Sequence, residues 1–138
     1  MIRPLVFIAL VFYALPGAAA ELLITEAWIK YLPAVVPVRA GYMNITNNQK
    51  QTAEIEWLTS ESFARIEIHQ SIKKNDLMSM QQVHVLAIGP NQTLQLTPGS
   101  YHLMMMDPVK NLQPGNIVKV IIGYADKSTQ IIEMIVRK

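Results

Sequence analysis

Cysteine is absent from all 138 residues. That absence excludes a disulfide framework, a thiolate nucleophile, a zinc finger and the thiolate-centred copper site used for electron transfer. Charge of one sign is lacking too: the formal net charge is only +2, so no basic surface for nucleic acid is encoded. The chain has no Gly-rich phosphate loop, no nucleophile elbow and no obvious carboxylate pair for acid–base work, and it reads as a non-enzyme. What it has in quantity is hydrophobic side chain, 51% of residues, which is too much for a disordered chain. Eight Met stand against three Phe and two Trp. The length suits one domain of ordinary size.

The N-terminus carries its own pattern. Arg3 precedes an apolar run from Leu5 to Leu15, Pro16-Gly17 breaks it, and Ala18-Ala19-Ala20 offers a small-residue cleavage site. These are the three parts of a secretory signal peptide. The run is too short for a bilayer core of roughly 30 Å, which needs about 20 residues. The expected organisation is a signal peptide over residues 1–20 and one domain over residues 21–138, exported to a periplasm with no membrane span after cleavage.

From Glu21 onward no stretch sustains helical periodicity, while short β-rich runs recur between turn signals. The expected strands are Glu26–Tyr31, Arg39–Thr46, Ala53–Thr59, Arg65–Ser71, Leu77–Val85, Gln92–Leu96, Ser100–Met106, Ile117–Tyr124 and Thr129–Arg137. Their number and spacing predict an all-β domain, either a two-sheet antiparallel sandwich or a small barrel.

Successive side chains of a strand point to opposite faces. Ile66 and Ile68 therefore share one face, and Arg65, Glu67 and His69 the other. In Leu77–Val85, Leu77, Val83 and Val85 oppose Met78, Met80, Gln82 and His84. In Ser100–Met106, Tyr101, Leu103 and Met105 oppose His102, Met104 and Met106. A four-residue loop at Lys73–Asp76 would place His69 directly across from Met80, and His102 and Met104 share a face two residues apart. The expectation is two pairs, each of one imidazole and one thioether. Imidazole with thioether favours a soft late first-row ion, above all Cu(I), whereas zinc prefers thiolate, imidazole or carboxylate, and calcium or magnesium wants oxygen.

His69, ten residues, Met80, twenty-one residues, His102, one residue and Met104 form the spacing H-x10-M-x21-H-x-M, which resembles the PCuAC-type periplasmic copper chaperones. Ala27-Trp28, Ala40-Gly41-Tyr42, Ile66-Glu67-Ile68-His69, Pro98-Gly99-Ser100-Tyr101-His102-Leu103-Met104 and Leu112-Gln113-Pro114-Gly115-Asn116 extend the likeness over nearly all of residues 21–138. The resemblance implies a cupredoxin-like two-sheet antiparallel β-sandwich holding one Cu(I) through His69, Met80, His102 and Met104. It further implies a monomer that carries copper toward the binuclear copper centre of cytochrome c oxidase, handing it to the oxidase or to another assembly factor. Gln70 stands where many members have Met, on the face away from His69.

Met78 and Met106 share faces with the four and read as an apolar shield or as auxiliary ligands. Met105 reads as core, His84 as a surface residue, and Lys73 and Lys74 as a solvated turn. Two other functions fit the sequence: copper sequestration for tolerance, and a metal-free secreted β-sandwich binding module whose Met residues only fill space.

Overall fold

Period-two alternation with one apolar face is enough to commit each run to a strand, because only pairing and stacking can bury that face. The computed structural model describes residues 21–138. The expected signal peptide, residues 1–20, lies outside the described residues. Ten strands follow in order: β1 (Leu23–Lys30), β2 (Val38–Thr46), β3 (Ala53–Ser60), β4 (Phe63–Lys74), β5 (Leu77–Val83), β6 (Leu86–Ile88), β7 (Thr93–Leu96), β8 (Tyr101–Pro108), β9 (Ile117–Tyr124) and β10 (Thr129–Arg137). The run expected as Leu77–Val85 therefore ends early, and β6 is a separate strand that pairs with β3 rather than with β4.

The sheet order is β5-β4-β8-β7-β2-β1-β10-β9-β3-β6, with β3–β4 and β2–β8 paired as well. Those two extra pairings join β4, β8, β2, β1, β10, β9 and β3 into a hydrogen-bonded circuit. The all-β architecture is thus a sandwich whose sheet closes on itself, and β5 remains as an edge strand attached only to β4. Pairing is antiparallel except for β1–β10 and β7–β8.

Every strand from β1 to β4 and from β6 to β10 contributes to one buried cluster that includes Ile29, Ile45, Ile55, Ile88, Leu96, Leu103, Met105, Val120, Ile122 and Met134. Each such side chain stabilises the fold by about 1.5–3 kcal/mol before the opposing loss of chain entropy. Arg39 is also buried, and its guanidinium donates to the carbonyls of Val36, Val38 and Pro33, which tie down the 31–37 segment. At the other end Gln130 clamps the start of the domain. Its Oε1 accepts from Leu22 N at 3.0 Å and from the Tyr124 hydroxyl at 2.6 Å, and its Nε2 donates to Leu22 O at 2.9 Å.

Burial pushes the Tyr124 phenol up to about 12 from an ordinary 10.0. The fold holds Tyr124 neutral while the unfolded phenol ionises, so its contribution is full below about pH 10 and is lost progressively toward about pH 12. A melting temperature that falls over that interval, and falls less in Tyr124→Phe, is the expected result. An equal alkaline slope in both proteins would place the sensitivity elsewhere.

Candidate metal centre

The hairpin between β4 and β5 departs from the sequence expectation. Its turn is only Asn75-Asp76, with φ of 51° and 60°, so Lys73 and Lys74 belong to the strand. Two residues with positive φ make the tight turn whose twist matches the flanking strands, and Asn and Asp tolerate that region better than other non-glycine residues. The register accordingly slips by two from the expected one: His69 pairs with Gln82, and Met80 pairs with Ser71. The expected pairing of His69 with Met80 is corrected on this point. A slip of two preserves faces, so Met80 still shares the face of His69, one diagonal away.

The direct partner of His69 is His102, across the β4–β8 pairing. Their ring centroids are 6.0 Å apart. Two imidazoles thus meet on one rung, where each had been expected beside a thioether. The next rung pairs Glu67 with Met104, and the one after it Arg65 with Met106. The alternate residues Ile66, Ile68, Leu103 and Met105 are buried in the core, so this ladder faces outward. Diagonal neighbours on a sheet face lie roughly 7–8 Å apart, within reach of long side chains. His69 is central: His102 is across from it, and Met104 and Met80 occupy diagonals on opposite sides.

Burial divides the four residues. His102 is only 6% exposed, the His69 side chain is 13% exposed and Met104 is half-buried. Met80 is 61% exposed on the edge strand, like its neighbour Met78, and Leu77 reaches 73%. Leu77 does not join the core that its alternation suggested, because the tip of the hairpin extends past it. The geometry therefore gathers His69, His102 and Met104, and leaves Met80 on a projecting arm. His84 falls between β5 and β6, exposed and outside the ladder.

The imidazoles are oriented by their neighbours. His69 Nε2 is 2.8 Å from Glu67 Oε2, and His69 Nδ1 is buried with no hydrogen-bond partner among the described residues. A buried polar atom without a partner costs free energy unless something else satisfies it. His102 Nδ1 lies 3.2 Å from the carbonyl of Ser100. A carbonyl only accepts, so Nδ1 carries the hydrogen and Nε2 is left as the lone-pair nitrogen. The Met106 sulfur accepts from Arg65 Nη2 at 3.0 Å, which engages it away from the imidazole rung.

Two sequence motifs acquire a structural reason here. Ala40 sits across β8 from Met104, and Gly41 beside it turns inward. A Cβ at Gly41 would stand 3.0 Å from the Met105 sulfur and 3.2 Å from Leu103 and Met134 atoms, so glycine lets β2 close on β8. On the outward face, Tyr42 packs against Trp28 with ring centroids 4.8 Å apart. Burial raises the Tyr42 phenol above its ordinary value, so this wall is neutral.

No group of three or more His, Asp or Glu among the described residues is arranged to hold a metal ion. A set of imidazole and thioether suits a soft monovalent ion rather than a hard divalent one. The ladder is an open face rather than a cavity. Two grooves, of about 460 and 490 Å³, lie elsewhere, the first lined by residues that include Ser60, Glu61, Lys110 and Lys119 and the second by residues that include Leu23, Glu26, Gln130 and Glu133.

A family model described as "Putative lipoprotein LpqE-like" matches residues 22–136. A Leifsonia xyli subsp. xyli protein named as a lipoprotein, Lxx21020, is 28% identical over 116 residues, covering 83% of this chain and 69% of its own length. The uncharacterized protein RP573 of Rickettsia prowazekii (strain Madrid E) is 26% identical over 96 residues; the match covers 69% of this chain and about half, 53%, of that protein. Among solved structures, the copper-bound PCuAC domain from PmoF2 superimposes with a TM-score of 0.70 at 15% identity, covering 83% of this chain and 90% of that domain. The Cu(I) form of DR1885 from Deinococcus radiodurans gives 0.69 at 23% identity, covering 88% and 83%. At these identities the likeness is one of fold, and it places the chain in the cupredoxin-like architecture of PCuAC domains.

Proposed function

The chain belongs to the LpqE-like family, and on that premise we propose that it is an exported Cu(I)-binding metallochaperone. Its cargo is one Cu(I) ion, bound by His69, His102, Met104 and Met80. The observation that carries this reading is the outward His69–His102 rung, with a buried unpartnered Nδ1 and the Met104 thioether on the next rung. The fold shared with a copper-bound PCuAC domain and with the Cu(I) form of DR1885 supports it.

Exposure of Met80 on an edge strand favours carriage over storage. A thioether at the surface is the donor that can leave first, so an acceptor's ligand can replace it while the two imidazoles still hold the ion. The acceptor in this reading is cytochrome c oxidase, at its binuclear copper centre, or another factor of its assembly. The protein acts as a monomer and performs no redox chemistry of its own.

Export by the leader over residues 1–20 places this exchange in the periplasm. The family description speaks of lipoproteins, yet these 138 residues offer no cysteine thiol to carry a thioether-linked lipid. No helix among the described residues is long and apolar enough to cross a membrane.

Titration of residues 21–138 with Cu(I) against a competing chelator tests the reading. One equivalent is expected to bind tightly, with nitrogen and sulfur scattering in the copper absorption spectrum, and Zn(II) at equal concentration is expected not to displace it. Binding of His69→Ala and His102→Ala at wild-type strength would instead assign the methionines to packing and the domain to a metal-free role.

A further inference from the structure

We propose that Glu67, steadied by Arg65, is the positioning residue that presents Nδ1 of His69 to the copper ion. The proposal rests on the Cu(I) reading above and adds a residue outside the four donors. Glu67 and His69 lie two apart on β4, so alternation puts them on the same outward face. Glu67 Oε2 meets His69 Nε2 at 2.8 Å, and Oε1 accepts from Arg65 Nε at 2.9 Å. Both carboxylate oxygens are thereby engaged, which holds the carboxylate against the ring.

An ionised carboxylate can only accept, so the hydrogen of a neutral ring must sit on Nε2. The lone pair is then on Nδ1, the atom that is buried and unpartnered. The opposite tautomer would set two lone-pair groups against each other at 2.8 Å. Glu67 thus excludes the opposite tautomer of the neutral ring and leaves a lone-pair nitrogen that no protein group answers. Metal-bound imidazoles commonly donate their other N–H to a carboxylate, which fixes the ring and raises its basicity.

His102 shows the same device in a different form. The Ser100 carbonyl holds its Nδ1, so the two rings of one rung offer different nitrogens, Nδ1 from His69 and Nε2 from His102. Only the Glu67 arrangement is built from a side chain, and only it can be removed by substitution. The Arg65 side chain is 66% exposed, so its hold on Glu67 is screened by solvent and is the weaker link.

Imidazole 15N shifts of the exported, copper-free protein, read beside Cu(I) competition, test this. Wild type and Glu67→Gln are expected to show His69 as the Nε2–H tautomer, since the glutamine carbonyl also accepts. Glu67→Leu is expected to lose that tautomer preference and to bind Cu(I) about 10–100-fold more weakly, with Glu67→Gln falling between it and wild type. A Glu67→Leu protein that keeps the wild-type tautomer, or that changes tautomer with no change in affinity, overturns the positioning role while the copper reading stands. Failure of wild type itself to bind Cu(I) overturns both, so the two failures are told apart.

Discussion

Met104→Leu is expected to abolish tight Cu(I) binding and to leave the melting temperature close to wild type. Leucine nearly conserves the volume of methionine, and such exchanges usually cost under about 1.5 kcal/mol even in a packed core. Met104 is only half-buried and stands on the outward ladder between Glu67 and Ala40, so the structural penalty sits at the low end. The chemical loss is the whole of a soft donor next to His102. Removing it is expected to weaken binding by more than the ~10–100-fold typical of outer-shell partners.

Met80→Leu is expected to do less. The Met80 side chain is 61% exposed on a strand paired along one edge only, and fixing such a flexible chain on an ion opposes the gain of its sulfur by up to about 2 kcal/mol of rotamer entropy. Chelator competition and thermal melts on both variants measure the contrast. Met104→Leu binding as well as wild type would remove methionine from the proposed site.

The faces were legible in the sequence because they depend only on parity. Arg65, Glu67 and His69 on one side of β4, and His102, Met104 and Met106 on one side of β8, follow from alternation alone. The register was not legible at the hairpin. Lys73-Lys74-Asn75-Asp76 is polar throughout, and polarity does not distinguish a four-residue loop from a two-residue turn preceded by two exposed strand residues. The clue was the Asn-Asp pair, which tolerates positive φ, and the error moved Met80 by one rung without moving it to the other face.

The pairing of β4 with β8 lay further out of reach. Thirty-two residues lie between His69 and His102, and nothing local fixes the offset between distant strands. That offset decides that imidazole faces imidazole and that Met104 stands across from Glu67. A second non-local pairing explains β6, whose apolar Leu86 and Ile88 reverse the parity of the preceding run and are claimed by β3.

Met105→Ala is expected to give the opposite result to its neighbour. Met105 is fully buried, opposite Ile66 on β4 and Arg39 on β2, on the inward face that Met104 avoids. Truncation leaves a cavity beneath the ladder, and buried Met-to-Ala changes cost about 2–5 kcal/mol. Against a total of roughly 5–15 kcal/mol that is a large fraction, and at about 4 °C per kcal/mol for a small domain the melting temperature falls by about 8–20 °C. The proposed donors on the outer face remain, so the folded fraction is expected still to bind one Cu(I).

Because a ligand that binds only the folded state stabilises it by about 4 kcal/mol at ~1,000 times its Kd, added Cu(I) is expected to raise the melting temperature of Met105→Ala as much as that of wild type. In Met104→Leu the same addition is expected to produce little shift. That pair of results would separate two adjacent methionines, one required for the cargo and one for the fold. Copper-induced stabilisation surviving in Met104→Leu and vanishing in Met105→Ala would place the ion inside the sandwich and not on its face.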